Sequence, residues 1–164
     1  MRDDRTYAAA VAVFAAFLYL AIVIAAFGLL SLATDTEVIA DPKAGPLVGP
    51  IMTGSATVLV LLCLIAIGTR VSADNQRIAP GIAIAVGVGA YFLYAAAGGI
   101  AGGVGDPSEP LHYVLFAFAQ LGSWYAISAG LAAFLVTLLY QLVLVGRFRQ
   151  RGRPRWPWEH DDDA

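Results

Sequence analysis

Four stretches of this 164-residue chain, residues 7–33, 51–69, 78–105 and 111–146, contain no Asp, Glu, Lys or Arg and are dominated by aliphatic, aromatic and small residues. A helix rises about 1.5 Å per residue, so about 20 apolar residues cross a hydrocarbon core roughly 30 Å thick. Each run meets that length. The chain as a whole is 59% hydrophobic and 13% charged, against about 45–50% and 25% in soluble domains. These runs predict an all-α polytopic membrane protein: a four-transmembrane-helix bundle over residues 1–146, followed by a tail over 147–164.

The fourth run is longer than one crossing requires. Its first turns are expected to stand at the interface or beyond it, or the helix to tilt strongly. Asp106-Pro107-Ser108-Glu109 reads as its start, with Asp106 as cap, Pro107 at the first helical position and Glu109 completing a capping box. Pro50 reads as the start of the second helix.

Nine of the ten basic residues fall at three places: Arg2 and Arg5 before the first run, Arg70 and Arg77 between the second and third, and Arg147, Arg149, Arg151, Arg153 and Arg155 after the fourth. Lys43 alone lies in another connection. Cationic loops stay on the cytoplasmic side, so both termini are predicted there. The outer connections then carry Asp35, Glu37, Asp41, Asp106 and Glu109. Ser31-Leu32-Ala33 resembles a signal cleavage site, but the run before it far exceeds the roughly 7–15 residues of a signal core. No lipid-anchor pattern is present.

Ionisable groups inside spans are costly and by default mark ion paths or substrate sites; these runs have none. His112, near the outer start of the fourth run, is a single histidine where haem or zinc would need several ligands. Cys63 is the only cysteine and reads as a small apolar residue. No cofactor, metal site or catalytic residue is therefore expected, and the chain does not read as an enzyme. Polar uncharged groups do occur: Thr53, Ser55 and Thr57 in the second run, and Gln120, Ser123, Ser128, Thr137 and Gln141 in the fourth. Gln120, Ser123 and Trp124 lie within one turn and are expected to share a face. Hydrogen bonds between helices, at about 0.6 kcal/mol each, are their expected use.

The glycine cluster in AAAGGIAGGVG, residues 95–105, lacks both the dinucleotide and the P-loop spacing and has no cation beside it. Gly98 and Gly102 are four apart, as are Gly99 and Gly103, Ala83 and Gly87, and Ala85 and Gly89. Residues at that spacing share one helix face, where a second helix can approach closely. The filler is either the bundle's own helix or another protein's, and residues 102–105 are expected to fray into the outer loop.

In the tail, the alternating arginines 147–155 with Trp156 and Trp158 predict contact with anionic lipid at the inner leaflet or with a partner, while the closing Asp161, Asp162 and Asp163 disfavour nucleic acid. The charged start MRDDRTYAAAVAVF, the four spans and the GRPRWPWE ending together resemble small uncharacterised integral membrane proteins of high-GC Gram-positive bacteria. The resemblance implies a bacterial plasma membrane location and no reaction. The leading expectation is a non-enzymatic oligomer or accessory subunit of a membrane assembly. The alternative is a small transporter or channel for an uncharged or lipophilic solute, with Thr53, Gln120 and Ser123 lining its path.

Overall fold

The structure, a computed structural model, describes residues 2–39, 45–70, 78–105 and 107–151. The chain is all-helical, with α1 Arg2–Thr34, α2 Val48–Arg70, α3 Pro80–Gly105, α4 Pro110–Leu121 and α5 Trp124–Arg151. α1, α2, α3 and α5 are long and apolar enough to cross a membrane, and α4 is a shorter apolar helix of 12 residues.

The four long helices form a ring in which each packs on two neighbours: α1 on α2 and α5, and α3 on α2 and α5. The buried residues of α2 are Val48, Met52, Ala56, Val60, Leu64 and Gly68. Four residues overshoot one turn by about 40°, so a seam repeating every fourth residue winds about 200° around the helix over its five steps. This winding carries α2 from one pair of neighbours to the other. Met52 lies against Gly98 of α3, while Gly68 lies against Ala8 of α1 and Tyr140 of α5. Side chains outside the seams are large and apolar, Phe14 being 76% and Leu32 84% exposed, as suits helices surrounded by lipid rather than water.

The fourth run is not one helix. It breaks between Leu121 and Trp124, and α5 alone keeps enough length to cross. The break follows from Gly122-Ser123, a helix-ending residue followed by a helix-starting one. The Gly122 amide donates to the Ala119 carbonyl at 3.1 Å and the Ser123 amide to the Gln120 carbonyl at 3.0 Å. Ser123 Oγ accepts from the Ala126 amide at 3.1 Å, capping α5, and donates to the Gln120 carbonyl at 2.7 Å.

The helix starts also differ from the sequence expectation. α4 begins at Pro110 with Glu109 at the cap position making no side-chain cap bond, so no capping box forms, and Asp106 lies outside the described residues. α2 begins at Val48, which leaves Pro50 within the first turn, where a missing N–H costs nothing. α3 stays helical through Gly105 instead of fraying. α1 ends where Asp35 adopts φ 52°, the left-handed conformation that stops a helix and that aspartate tolerates better than most residues.

The helix-packing glycines are filled from within the chain. A Cβ on Gly87 would stand 2.9 Å from the Gly130 carbonyl, and one on Gly130 would stand 2.9 Å from Tyr91 Cβ. One on Gly98 would meet Met52 Sδ at 2.8 Å and one on Gly99 would meet Ala117 Cβ at 2.8 Å; on Gly102 it would overlap the Tyr113 ring. α2, α4 and α5 thus fill the α3 groove from Gly87 to Gly102. Gly103 is looser, with Tyr113 Cβ at 3.8 Å, and Gly28, Gly54 and Gly81 face open space.

Replacing Gly87 with valine is therefore expected to cost about 1–3 kcal/mol by overpacking. Gly81→Ala should stay within about 1 kcal/mol of the parent. Chemical unfolding of both variants in mild detergent measures the difference.

Candidate functional site

The polar side chains of the bundle divide into those that join helices and those that bond back to their own. Ser55 donates to the Met52 carbonyl at 2.9 Å, Thr57 to Thr53 at 2.8 Å, Ser128 to Tyr125 at 2.9 Å and Thr137 to Ala133 at 2.7 Å. All four reach carbonyls three or four residues earlier, the shortest reach available to a small hydroxyl on a helix. The expected interhelical use of these hydroxyls is not what forms.

Longer side chains make the connections. The Tyr140 hydroxyl donates to the Ala8 carbonyl at 3.0 Å, tying α5 to α1, and its approach is why Gly68 has no side chain. Gln141 is 2% exposed and pairs with the backbone just before α3. The Ala79 amide donates to Gln141 Oε1 at 2.8 Å, and Gln141 Nε2 donates to the Ala79 carbonyl at 3.4 Å. At the opposite end, the Tyr125 hydroxyl donates to the Thr36 carbonyl at 2.9 Å. The Phe27 ring packs edge-on against Tyr94 and Tyr125 at 5.7 and 5.3 Å. The Tyr91 hydroxyl donates to the Leu121 carbonyl at the α4–α5 break.

The polar residues singled out from the sequence are not brought together. Gln120 is buried, Ser123 is half-buried with its hydroxyl spent on the break, and Trp124 is 66% exposed, so the three do not share a face. Thr53 and Ser55 lie on α2, both half-buried, and Thr53 lines a groove on the α1–α2 side. No described cavity is lined by Thr53 together with Gln120 or Ser123. Among the described residues, Tyr19 Oη, Tyr94 Oη and Gln120 Oε1 are buried without a hydrogen-bond partner.

No group of three or more metal-ligating side chains occurs among the described residues. Cys63 is free and half-buried, and His112 stacks edge-on against Tyr113 at 5.1 Å. Arg147 lies over the Tyr7 ring at 3.7 Å, a cation–π contact that fixes the end of α5 to the start of α1. Arg149 and Arg151 belong to the last turn of α5. Arg153, Arg155, Trp156 and Trp158 lie outside the described residues.

Several open grooves remain on the surface, two of them on the faces between long helices. One, of about 400 Å³, runs between α3 and α5 beside Gly87 and Gly130 and is wholly apolar. The other, of about 710 Å³, runs between α1 and α2, from Leu20 and Ile24 up to Thr53 and Gly54, beneath Glu37, Val38 and Ile39. Sequence periodicity did not reveal it, because it depends on the connection after α1 folding back over α2. The signal that was present is Gly49 with Gly54, two glycines on the facing part of α2.

Tyr140→Phe is expected to lower stability by about 0.6–2 kcal/mol through loss of the Ala8 bond. Tyr19→Phe should cost nothing, since its hydroxyl has no described partner. Parallel unfolding of the two variants in detergent reads the contrast.

The model of a family of unknown function (DUF6121) matches residues 1–164. No curated protein and no solved structure matches the chain.

Proposed function

We propose that this chain, which belongs to the DUF6121 family over its whole length, is a bacterial plasma-membrane protein that acts by association within the bilayer and not by catalysis. The observation that carries this reading is the outer face of α1. Ala21, Ala25 and Gly28 are exposed there, Gly28 has nothing within 4 Å of a Cβ position, and Phe14, Phe17 and Leu32 flank them. Small residues at this spacing let a second backbone approach closely, and in lipid such contact supplies much of the energy of helix association. The face runs nearly the full length of a helix of 33 residues. The α3 grooves that first suggested association are already occupied, so the contact surface moves from α3 to α1.

The polar inventory supports a non-catalytic role. The hydroxyls of Ser55, Thr57, Ser123, Ser128, Thr137 and Tyr140 and the amide of Gln141 are spent on backbone partners, and the spans carry no Asp, Glu, Lys or Arg. The transport alternative has no observation in its favour, because the residues expected to line its path belong to separate surfaces.

Both termini are assigned to the cytoplasm. Arg5, Arg70 and Arg147 are drawn to one end of the bundle by the Tyr140, Gln141 and Tyr7 contacts, whereas Asp35, Glu37 and Glu109 belong to the other end. This separation supports a positive-inside orientation. The basic and tryptophan-rich tail then meets the anionic inner leaflet, at about 1 kcal/mol for each arginine near the surface.

Cysteine crosslinking in native membranes tests the reading. In a Cys63→Ala background, Ala21→Cys and Gly28→Cys are expected to give a product of higher mass, and Val88→Cys on the opposite side is not. Equal yields at all three positions, or none at any, would remove the α1 face as a contact surface. Cytoplasmic reporters fused at either terminus should be active, and a periplasmic-type reporter inactive.

A further inference from the structure

We propose that the α1–α2 groove is a binding site for a membrane-soluble amphiphile with a cationic head, its ammonium at Glu37 and its alkyl chain between Leu20, Ile24 and Gly54. The groove's volume, about 710 Å³, lies within the roughly 300–1,000 Å³ of small-molecule sites. Its wall is apolar, and its inner side is closed by Phe27, whose ring is held by Tyr94 and Tyr125. The wall is therefore built before any ligand arrives.

The shape selects an amphiphile over a helix. Glu37, Val38 and Ile39 cross above the groove, and Ile39 Cδ1 stands 3.2 Å from a Cβ position on Gly49. A transmembrane helix continuing past the headgroup level would run into this roof. A molecule whose apolar part ends below it fits underneath. Gly54 provides the depth, since a Cβ there would have nothing within 4 Å.

The charge selects a cation. Among the described residues Glu37 is the only ionisable one in the lining, and Asp35 two positions earlier adds the same sign. An anionic headgroup would be repelled, while an ammonium gains a counterion at the mouth and a hydroxyl below it in Thr53. A second copy seated here about a two-fold axis normal to the membrane would bring Glu37 toward its own copy, which like-charge repulsion disfavours. The site does not depend on the association reading, which uses Ala21, Ala25 and Gly28 on the neighbouring face of α1, none of them in the groove lining.

The test uses the full chain in neutral maltoside micelles, titrated in parallel with dodecyltrimethylammonium, dodecyl sulfate and dodecanol, with the thermal unfolding midpoint as readout. Only the ammonium amphiphile is expected to raise the midpoint saturably. Glu37→Gln should weaken its apparent affinity about two- to fivefold, the range of a solvent-exposed ion pair, and added salt should weaken the parent in the same direction. Gly54→Leu should weaken it at least tenfold while keeping the parent's ligand-free midpoint, and Asp35→Asn should change it less than twofold. Equal shifts from all three amphiphiles, an unchanged affinity in Glu37→Gln, or protein crosslinked through Gly54→Cys would each overturn the proposal.

Discussion

A backbone amide or carbonyl that has no helical partner and no water must find a side chain, and in this bundle that requirement fixes how the helices sit. The Ala79 amide precedes α3 and has no helical carbonyl to bond; Gln141 of α5 supplies one at 2.8 Å. The Leu121 carbonyl is left over at the α4–α5 break, and Tyr91 of α3 reaches it. The Thr36 carbonyl lies past the end of α1, where Ser31 of α1 donates to it at 2.8 Å and Tyr125 of α5 at 2.9 Å. In an apolar surround each such group would cost several kcal/mol if unpaired. Each bond therefore sets a relative height for two helices, and together they fix α5 against α1 and α3 at both ends.

Close packing does the remaining work, and the two devices depend on each other. Gly87 and Gly130 let α3 and α5 meet backbone to backbone, which brings Tyr91 within reach of the break. Gly68 leaves room for Tyr140, whose hydroxyl could not otherwise lie against the Ala8 carbonyl. A tyrosine serves this purpose well because its ring fills apolar space while its hydroxyl stands at the far end of the ring, where it can find a partner. Small hydroxyls lack that reach, and so Ser55, Thr57, Ser128 and Thr137 turn back to their own helices.

The parts of the fold legible in the sequence were those written as composition over length. Charge-free runs marked the four long helices, and spacing by four marked Gly98, Gly99 and Gly102 as contact points. Hidden were features that depend on which helices become neighbours. Tyr91, Tyr125 and Tyr140 look like ordinary apolar residues in a periodicity, and only the fold shows what their hydroxyls touch. The break at Gly122-Ser123 was written locally and was outweighed by the uniform hydropathy around it. The α1–α2 groove could not be read at all, since it arises from Val38 and Ile39 folding back over residues 49–54.

The glycines also show why the two sides of the bundle differ. α3 has neighbours on two sides from α2 and α5, and α4 lies along its C-terminal third, so Gly87, Gly98, Gly99 and Gly102 are consumed by internal contacts. Among the described residues α1 and α2 have no counterpart to α4, and Gly28 and Gly54 on their outward faces have nothing within 4 Å of a Cβ position. Since glycine within a helix costs about 1 kcal/mol relative to alanine in water, a glycine that packs against nothing is an expense without internal return. Gly54 is such a position, and it lies in the groove that Glu37 overhangs. The fold thus closes α3 with its own chain and leaves the α1–α2 side as the surface where something else from the membrane can lie.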